Sequence, residues 1–184
     1  MEPDGSQRQD GELLALIQEG RHDAFDALVR RHTDRFYRLA YRVLGSPQAA
    51  EDVVQDAFLK LWENPASFRA DRNTRFTTWF HRVVVNLCLD RAKKKTPLPL
   101  REGADWPDPA AAADVALEHV EEKRQLEREI DALPPRQRVA LHLCFEENLS
   151  NQEAAERMGL GLKALQSLLM RAKTTLRERI RSLS

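Results

Sequence analysis

The first apolar residues to recur with a period are Leu13, Leu16, Ile17, Phe25, Leu28 and Val29. Steps of three and four place them along one side of a helix. Gly20 interrupts the run, which predicts two helices, the second starting near Asp23. A third stretch, Phe36, Leu39, Ala40, Val43 and Leu44, ends at Gly45-Ser46-Pro47. Glycine there suits a left-handed helix end and proline the first turn of the next helix. That helix is predicted over Gln48–Glu63. Ala50, Val53, Val54, Ala57, Phe58, Leu61 and Trp62 form its apolar face, and Glu51, Asp52, Gln55, Asp56 and Lys60 lie opposite. Asn64-Pro65 closes it, because a residue before proline avoids the helical basin.

Phe68 to Arg75 reads as a polar, arginine-rich loop. Thr77 or Thr78 is placed to cap a helix over Trp79–Lys94. Val83, Val84, Leu87 and Cys88 share one of its faces; Arg82, Asn86, Arg91, Lys93, Lys94 and Lys95 are left for another. Thr96–Ala113 then holds four of the nine prolines and a run of four alanines, the composition of a linker. Helical spacing resumes near Asp114 with Val115, Leu117, Val120, Leu126 and Ile130, and Pro134-Pro135 forces a break. The pattern contains no β alternation of useful length and no internal repeat. The expected fold is all-α: two small helical domains, 1–95 and 119–184, joined by a flexible linker over 96–118.

The sharpest local motif lies near the C-terminus. Ser150 with Glu153 three residues later is a capping box. The helix behind it carries Ala154, Ala155 and Met158, and Gly159 supplies the turn. A second helix starts near Leu162, with Leu165, Leu168 or Leu169, Ala172, Leu176 and Ile180 facing inward. A small residue at the crossing, a glycine four positions on and leucines pinning the second helix make a helix-turn-helix. Its outward residues are Lys163, Gln166, Ser167, Met170, Arg171 and Lys173. Glutamine pairs with adenine, and arginine or lysine with guanine, on major-groove edges. The basic residues equally suit phosphates. A protein-binding helical hairpin is the alternative for this motif taken alone.

Net charge is zero, with 29 basic and 29 acidic side chains, but the distribution is uneven. Residues 1–67 hold 8 basic against 12 acidic groups, 68–95 hold 8 against 2, 96–131 hold 4 against 10, and 132–184 hold 9 against 5. Salt screens charges beyond a Debye length of ~8–10 Å, so phosphate responds to the two local basic blocks rather than to the total. The first basic block interleaves aromatics: Phe68, Arg69, Arg72, Arg75, Phe76, Trp79, Phe80, His81, Arg82 and then Asn86. Rings and guanidinium planes offer stacking surfaces to unpaired bases. Asn86 offers a donor and an acceptor to a base edge. The competing reading makes Phe76, Trp79 and Phe80 core.

Other classes fit less well. No apolar run approaches the ~20 residues of a membrane helix, and the N-terminus has no secretory pattern. Cys88 and Cys144 sit in apolar surroundings, as reduced thiols of a cytoplasmic protein do. His142 and Cys144 lack a second cluster for a metal site. The chain has no glycine-rich phosphate loop, and nothing in it calls for a cofactor.

Taken in order, these segments resemble bacterial sigma factors of the extracytoplasmic-function (ECF) class. The resemblance runs through Ala24-Phe25 with Leu28 and His32, and through Ala40-Tyr41-Arg42-Val43-Leu44-Gly45. It continues in Ala50-Glu51-Asp52-Val53-Val54-Gln55-Asp56-Ala57-Phe58 with Leu61-Trp62, Phe68-Arg69, Thr78-Trp79-Phe80, Val85-Asn86 with Asp90-Arg91, and Leu133-Pro134-Pro135-Arg136-Gln137-Arg138. It implies that Asp52, Gln55, Asp56, Phe58 and Trp62 dock on the clamp of core RNA polymerase. Phe68, Arg69, Arg72, Arg75, Trp79, Arg82 and Asn86 would read and melt the −10 element. Lys163, Gln166, Ser167, Met170, Arg171 and Lys173 would read the −35 element. The loop Arg69–Arg75 is longer than in some members, and Leu168 stands where the commoner pattern has a basic residue. The resemblance further implies a non-enzymatic, cytoplasmic factor, monomeric when free and held by an anti-sigma protein. A conventional repressor is the runner-up. It explains the helix-turn-helix but neither the aromatic loop nor the lack of a heptad dimer helix.

Overall fold

The computed structural model describes residues 9–68, 75–94 and 117–181, with backbone alone over 117–122. The described elements are all helical. Helix α1 (Asp10–Gln18) and α2 (His22–Leu44) are separated at Gly20, whose φ is +84°. The second and third apolar stretches are one helix, not two: no glycine or proline stands between Asp23 and Leu44, and the 23-residue α2 runs straight through. It stops at Gly45, φ 66°, and Ser46 caps α3 (Pro47–Glu63) by accepting from the Ala49 N–H. A single 3-10 turn (Pro65–Ser67) follows.

Helix α4 (Phe76–Lys94) starts three residues earlier than the spacing predicts. Thr77 and Thr78 therefore lie inside its first turn, and the carbonyl of Arg75 accepts from the N–H groups of Thr78 and Trp79. The cause is Phe76, which is 4% exposed and anchors that turn in the core. The expected helix start near Asp114 lies outside the described residues; α5 is described from Leu117 to Asp131. After Pro134, α6 (Pro135–Leu141) passes into a π-turn (His142–Glu146), then α7 (Asn151–Met158) and α8 (Leu162–Arg181).

In the N-terminal half α2 packs against α1, α3 and α4. Phe36 is fully buried at the centre, its ring 4.7 Å from those of both Phe80 and His81. In the C-terminal half α8 packs against α5, α6 and α7. Leu165 and Ala172 are fully buried there, beside Ala154 and Ala155 of α7. Ile180, expected inward, is 42% exposed. The halves meet where α6 lies on α2 and α7 on α4, and their buried side chains form one continuous cluster.

The capping box of α7 is formed as its sequence predicts: the Ser150 hydroxyl accepts from the Glu153 N–H, and the Glu153 carboxylate accepts from the Ser150 N–H at 3.0 Å. Ser150→Ala is expected to cost about 1 kcal/mol. A thermal melt should show this as a Tm lower by ~2–4 °C.

Candidate nucleic-acid interface

Gly159, φ 64°, turns the chain between α7 and α8, which pack together with Ala155 and Leu165 both buried. This leaves one face of α8 bare. Lys163, Gln166, Met170, Arg171 and Lys173 are exposed, Met170 to 64%, and Ser167 is half-buried. Arg171 Nη2 donates to the Ser167 hydroxyl at 2.9 Å, which fixes the guanidinium over the middle of the face. Lys173 Nζ sits 5.1 Å from the centroid of the exposed Phe145 ring. Phe145, Asn151, Gln166, Met170, Lys173 and Arg177 line a shallow groove of about 330 Å3 beside the helix. An exposed, donor-rich helix of 20 residues behind a short supporting helix is the geometry that enters a major groove.

The second basic block divides. Arg75, Arg82 and Asn86 are exposed along α4 and its entry. Trp79 is half-buried, leaning on Phe68 and Phe76 at 5.6 and 6.1 Å. Phe68 is 6% exposed and edge-on to Phe76, so it is a core side chain and not a DNA-facing one. Phe76 and Phe80 are core as well, with rings stacked at 5.1 Å. Arg69 and Arg72 lie outside the described residues.

On α3, Asp52 and Gln55 are exposed and Asp56 is half-buried. Phe58, at 5%, belongs to the core and does not face a docking partner. Trp62 is half-buried against His22 and Phe25, with centroids 4.5 and 5.0 Å apart. The partners of one basic residue escape sequence reading. Arg91, on α4, donates to Asp52 at 2.7 Å and to Asp56 at 2.8 Å. Those two carboxylates, Asp52 first, hold the guanidinium above its usual pKa. The acidic face of α3 is thereby tied to the last turns of the basic helix.

Burial pushes the Cys88 thiol up to about 12, and Cys144 is also raised, chiefly by burial. Neither is a reactive thiolate at neutral pH. His142 Nδ1 is 3.0 Å from a Glu146 carboxylate oxygen. Among the described residues no three His, Cys, Asp or Glu side chains are grouped to hold a metal. Among them, too, no helix is long and apolar enough to cross a membrane.

One helical half thus has an acidic helix braced on a basic aromatic one, and the second half is built on a helix-turn-helix. The comparisons make the family specific. The sigma-70 region 2 model matches residues 28–97, and the sigma-70 region 4 model matches 123–176. The chain is 30% identical over 181 residues to the ECF RNA polymerase sigma factor SigW of Bacillus subtilis, covering 92% of this chain and 96% of that one. It is 33% identical over 173 residues to SigM of Mycobacterium tuberculosis, covering 92% and 84%. To SigE of Mycolicibacterium smegmatis it is 31% identical over 159 residues, 84% of this chain but 61% of that longer relative. In fold it matches CnrH in complex with the cytosolic domain of CnrY, at TM-score 0.67, 24% identity, and 95% and 99% of the two chains. It also matches RpoE in complex with the anti-sigma factor NepR from Bartonella quintana, at TM-score 0.64, 20% identity, and 85% and 96%. The chain belongs to the ECF RNA polymerase sigma factors. It is a transcription initiation factor, which joins core RNA polymerase and directs it to promoter DNA.

Proposed function

We propose that the two basic faces read the two elements of one promoter. The observation that carries this is the bare face of α8, where Lys163, Gln166, Met170, Arg171 and Lys173 stand exposed on a helix-turn-helix. In this reading α8 enters the major groove of the −35 element. Arg75, Trp79, Arg82 and Asn86, with Arg69 and Arg72, handle the −10 element. Exposed cations hold the backbone, and Trp79 and Asn86 meet bases drawn out of the stack, at a cost of a few kcal/mol per step. Asp52, Gln55 and Asp56 dock the polymerase, with Trp62 at the edge of that face. The chain makes and breaks no bonds, needs no cofactor, and works in the cytoplasm as a monomer until polymerase binds it. Its working parts are 1–95, the linker 96–118, and 119–184. CnrH and RpoE are seen with CnrY and NepR, which supports control of this chain by an anti-sigma partner.

Run-off transcription with core polymerase tests the whole reading; no promoter-dependent product from any genomic fragment would sink it. Arg171→Ala is expected to weaken −35 duplex binding by about 1–3 kcal/mol if it reads a base, or to lower the salt slope by about 1 if it holds a phosphate. Titration at several salt concentrations separates these. Unchanged affinity and slope would remove Arg171 from the interface.

A further inference from the structure

The exposed side of α8 is not one surface. At about 100° per residue, Gln166, Lys173 and Arg177 fall within about 40° of one another, with Met170 beside them, and Arg171 lies about 160° from Lys173. Arg171 is held on its own flank by Ser167. The Lys173 flank has a wall that comes from outside the helix. Phe145, near the end of the π-turn, and Asn151, the first residue of α7, close a shallow groove against Gln166, Met170, Lys173 and Arg177. Two of the residues lining the groove are cations and none is an acid.

Phe145 is 56% exposed, so its ring does not fill the core. What it meets is a charge: the Lys173 ammonium stands over the electron-rich face, 5.1 Å from the centroid. The same ammonium acts on Cys144, whose thiol burial raises and Lys173 pulls down. That thiol donates to the Asn151 side-chain oxygen at 3.7 Å, which leaves the Asn151 amide N–H groups as its donors toward the groove. Lysine has a long flexible stem, and fixing it costs rotamer entropy. A ring that holds the ammonium in the free protein removes part of that cost before DNA arrives. The side of the helix matters as well. In a helix-turn-helix the supporting helix crosses the backbone while the second helix reads base edges. Asn151 opens the supporting helix, so this groove lies on the backbone side of α8.

We propose that Phe145 is a positioning residue for promoter binding: its ring steers the Lys173 ammonium off the base edges and onto the sugar-phosphate backbone of one strand, which seats in the groove between Phe145 and α8. The inference rests on the reading of α8 as the −35 helix, and it divides the labour of that helix. Lys173 and Arg177, with the Asn151 amide, hold phosphates and carry no sequence information. Base reading is left to Gln166, Met170 and Arg171. Cations and amide donors without an acid suit a phosphodiester strand, and the groove runs on from the face that reads the bases.

The test uses holoenzyme, assembled from core polymerase and the full chain. Its probes are a promoter fragment recovered by run-off transcription and a panel of single base-pair changes in the −35 element of that fragment. Lys173→Gln should weaken binding to every member of the panel by the same factor. It should also reduce the slope of log affinity against log salt by about 0.9, the counterion release of one phosphate contact. Phe145→Leu keeps apolar bulk and loses the ring face. It should weaken the whole panel about two- to fivefold at unchanged helical circular dichroism, and Phe145→Tyr should keep wild-type affinity. In a Lys173→Gln background Phe145→Leu should cost nothing, because the ring acts only through the ammonium. A Phe145→Leu chain that binds like the wild type overturns the proposal. So does a loss that persists without Lys173, which makes the ring a direct DNA contact. A Lys173→Gln variant that reorders the panel overturns it too, since Lys173 is then a base reader. Gln166→Ala and Arg171→Ala separate this from the reading beneath it. If neither reorders the panel, α8 is not the −35 reader and the proposal falls with that reading. A reordered panel with an unmoved Phe145→Leu removes Phe145 alone.

Discussion

Phe36→Ala is expected to cost about 3–5 kcal/mol, among the largest losses open to a single core truncation. Phe36 is fully buried and has rings on three sides: Phe80 and His81 at 4.7 Å and His32 at 6.0 Å. Alanine leaves a hole that α2 and α4 cannot close without moving the helix that carries Arg82 and Asn86. At ~2–4 °C per kcal/mol for a chain of this size, the Tm should fall by roughly 6–20 °C, read by circular dichroism or calorimetry. Leu59→Ala is the control. Leu59 is as apolar but 52% exposed, and its loss should stay within about 0.5 kcal/mol. A Phe36→Ala variant that melts with the wild type would mean that α2 and α4 do not share the core described. The functional corollary is selective. Melting of the −10 element should suffer more than duplex binding by α8, whose supports are Leu165, Leu169 and Ala172.

How far the chain could be read from its residues depends on how local each feature is. Gly45, Ser150 with Glu153, and Gly159 act within four residues, and all three ended or capped helices where their chemistry said they would. The helix-turn-helix was legible for the same reason: crossing, turn and pin fall within a few turns of one another. Boundaries failed where tertiary burial overrode the local signal. Phe76 is drawn into the core and starts α4 before the threonines that looked like its caps. Ring chemistry is the same in a core as on a nucleic-acid face, and only burial shows Phe68 to be core; Phe58, which the resemblance places at a docking surface, lies in the core that its helical spacing indicates. The ion pairs were out of reach altogether. Arg91 meets Asp52 and Asp56 across 39 and 35 residues, and Arg35 meets Glu147 across 112. No periodicity within a helix brings such residues together, so Glu147 counted only as one more acid in a basic block.

Asp52→Asn with Asp56→Asn is expected to weaken binding to core polymerase by about 30- to 1000-fold, the loss of 2–4 kcal/mol typical of interface hot spots. The structure gives this prediction a competitor. Arg91 donates to both carboxylates, and the double change therefore also unties α3 from α4. Arg91→Ala separates the two roles, since it breaks the same ion pairs and leaves both acids in place. The Asp52 and Asp56 side chains are 58% and 45% exposed, so the pairs are screened by water. Exposed pairs contribute about 0.2–1 kcal/mol each. Arg91→Ala should then change polymerase affinity by at most a few fold, and it removes a cation that neutralises this acidic face. If instead it costs as much as the double asparagine change, the two aspartates act by bracing the helices and the contact with polymerase lies elsewhere on α3. Binding of labelled core polymerase by the wild type and the two variants decides between them, with duplex binding by α8 as the internal check that each variant is folded.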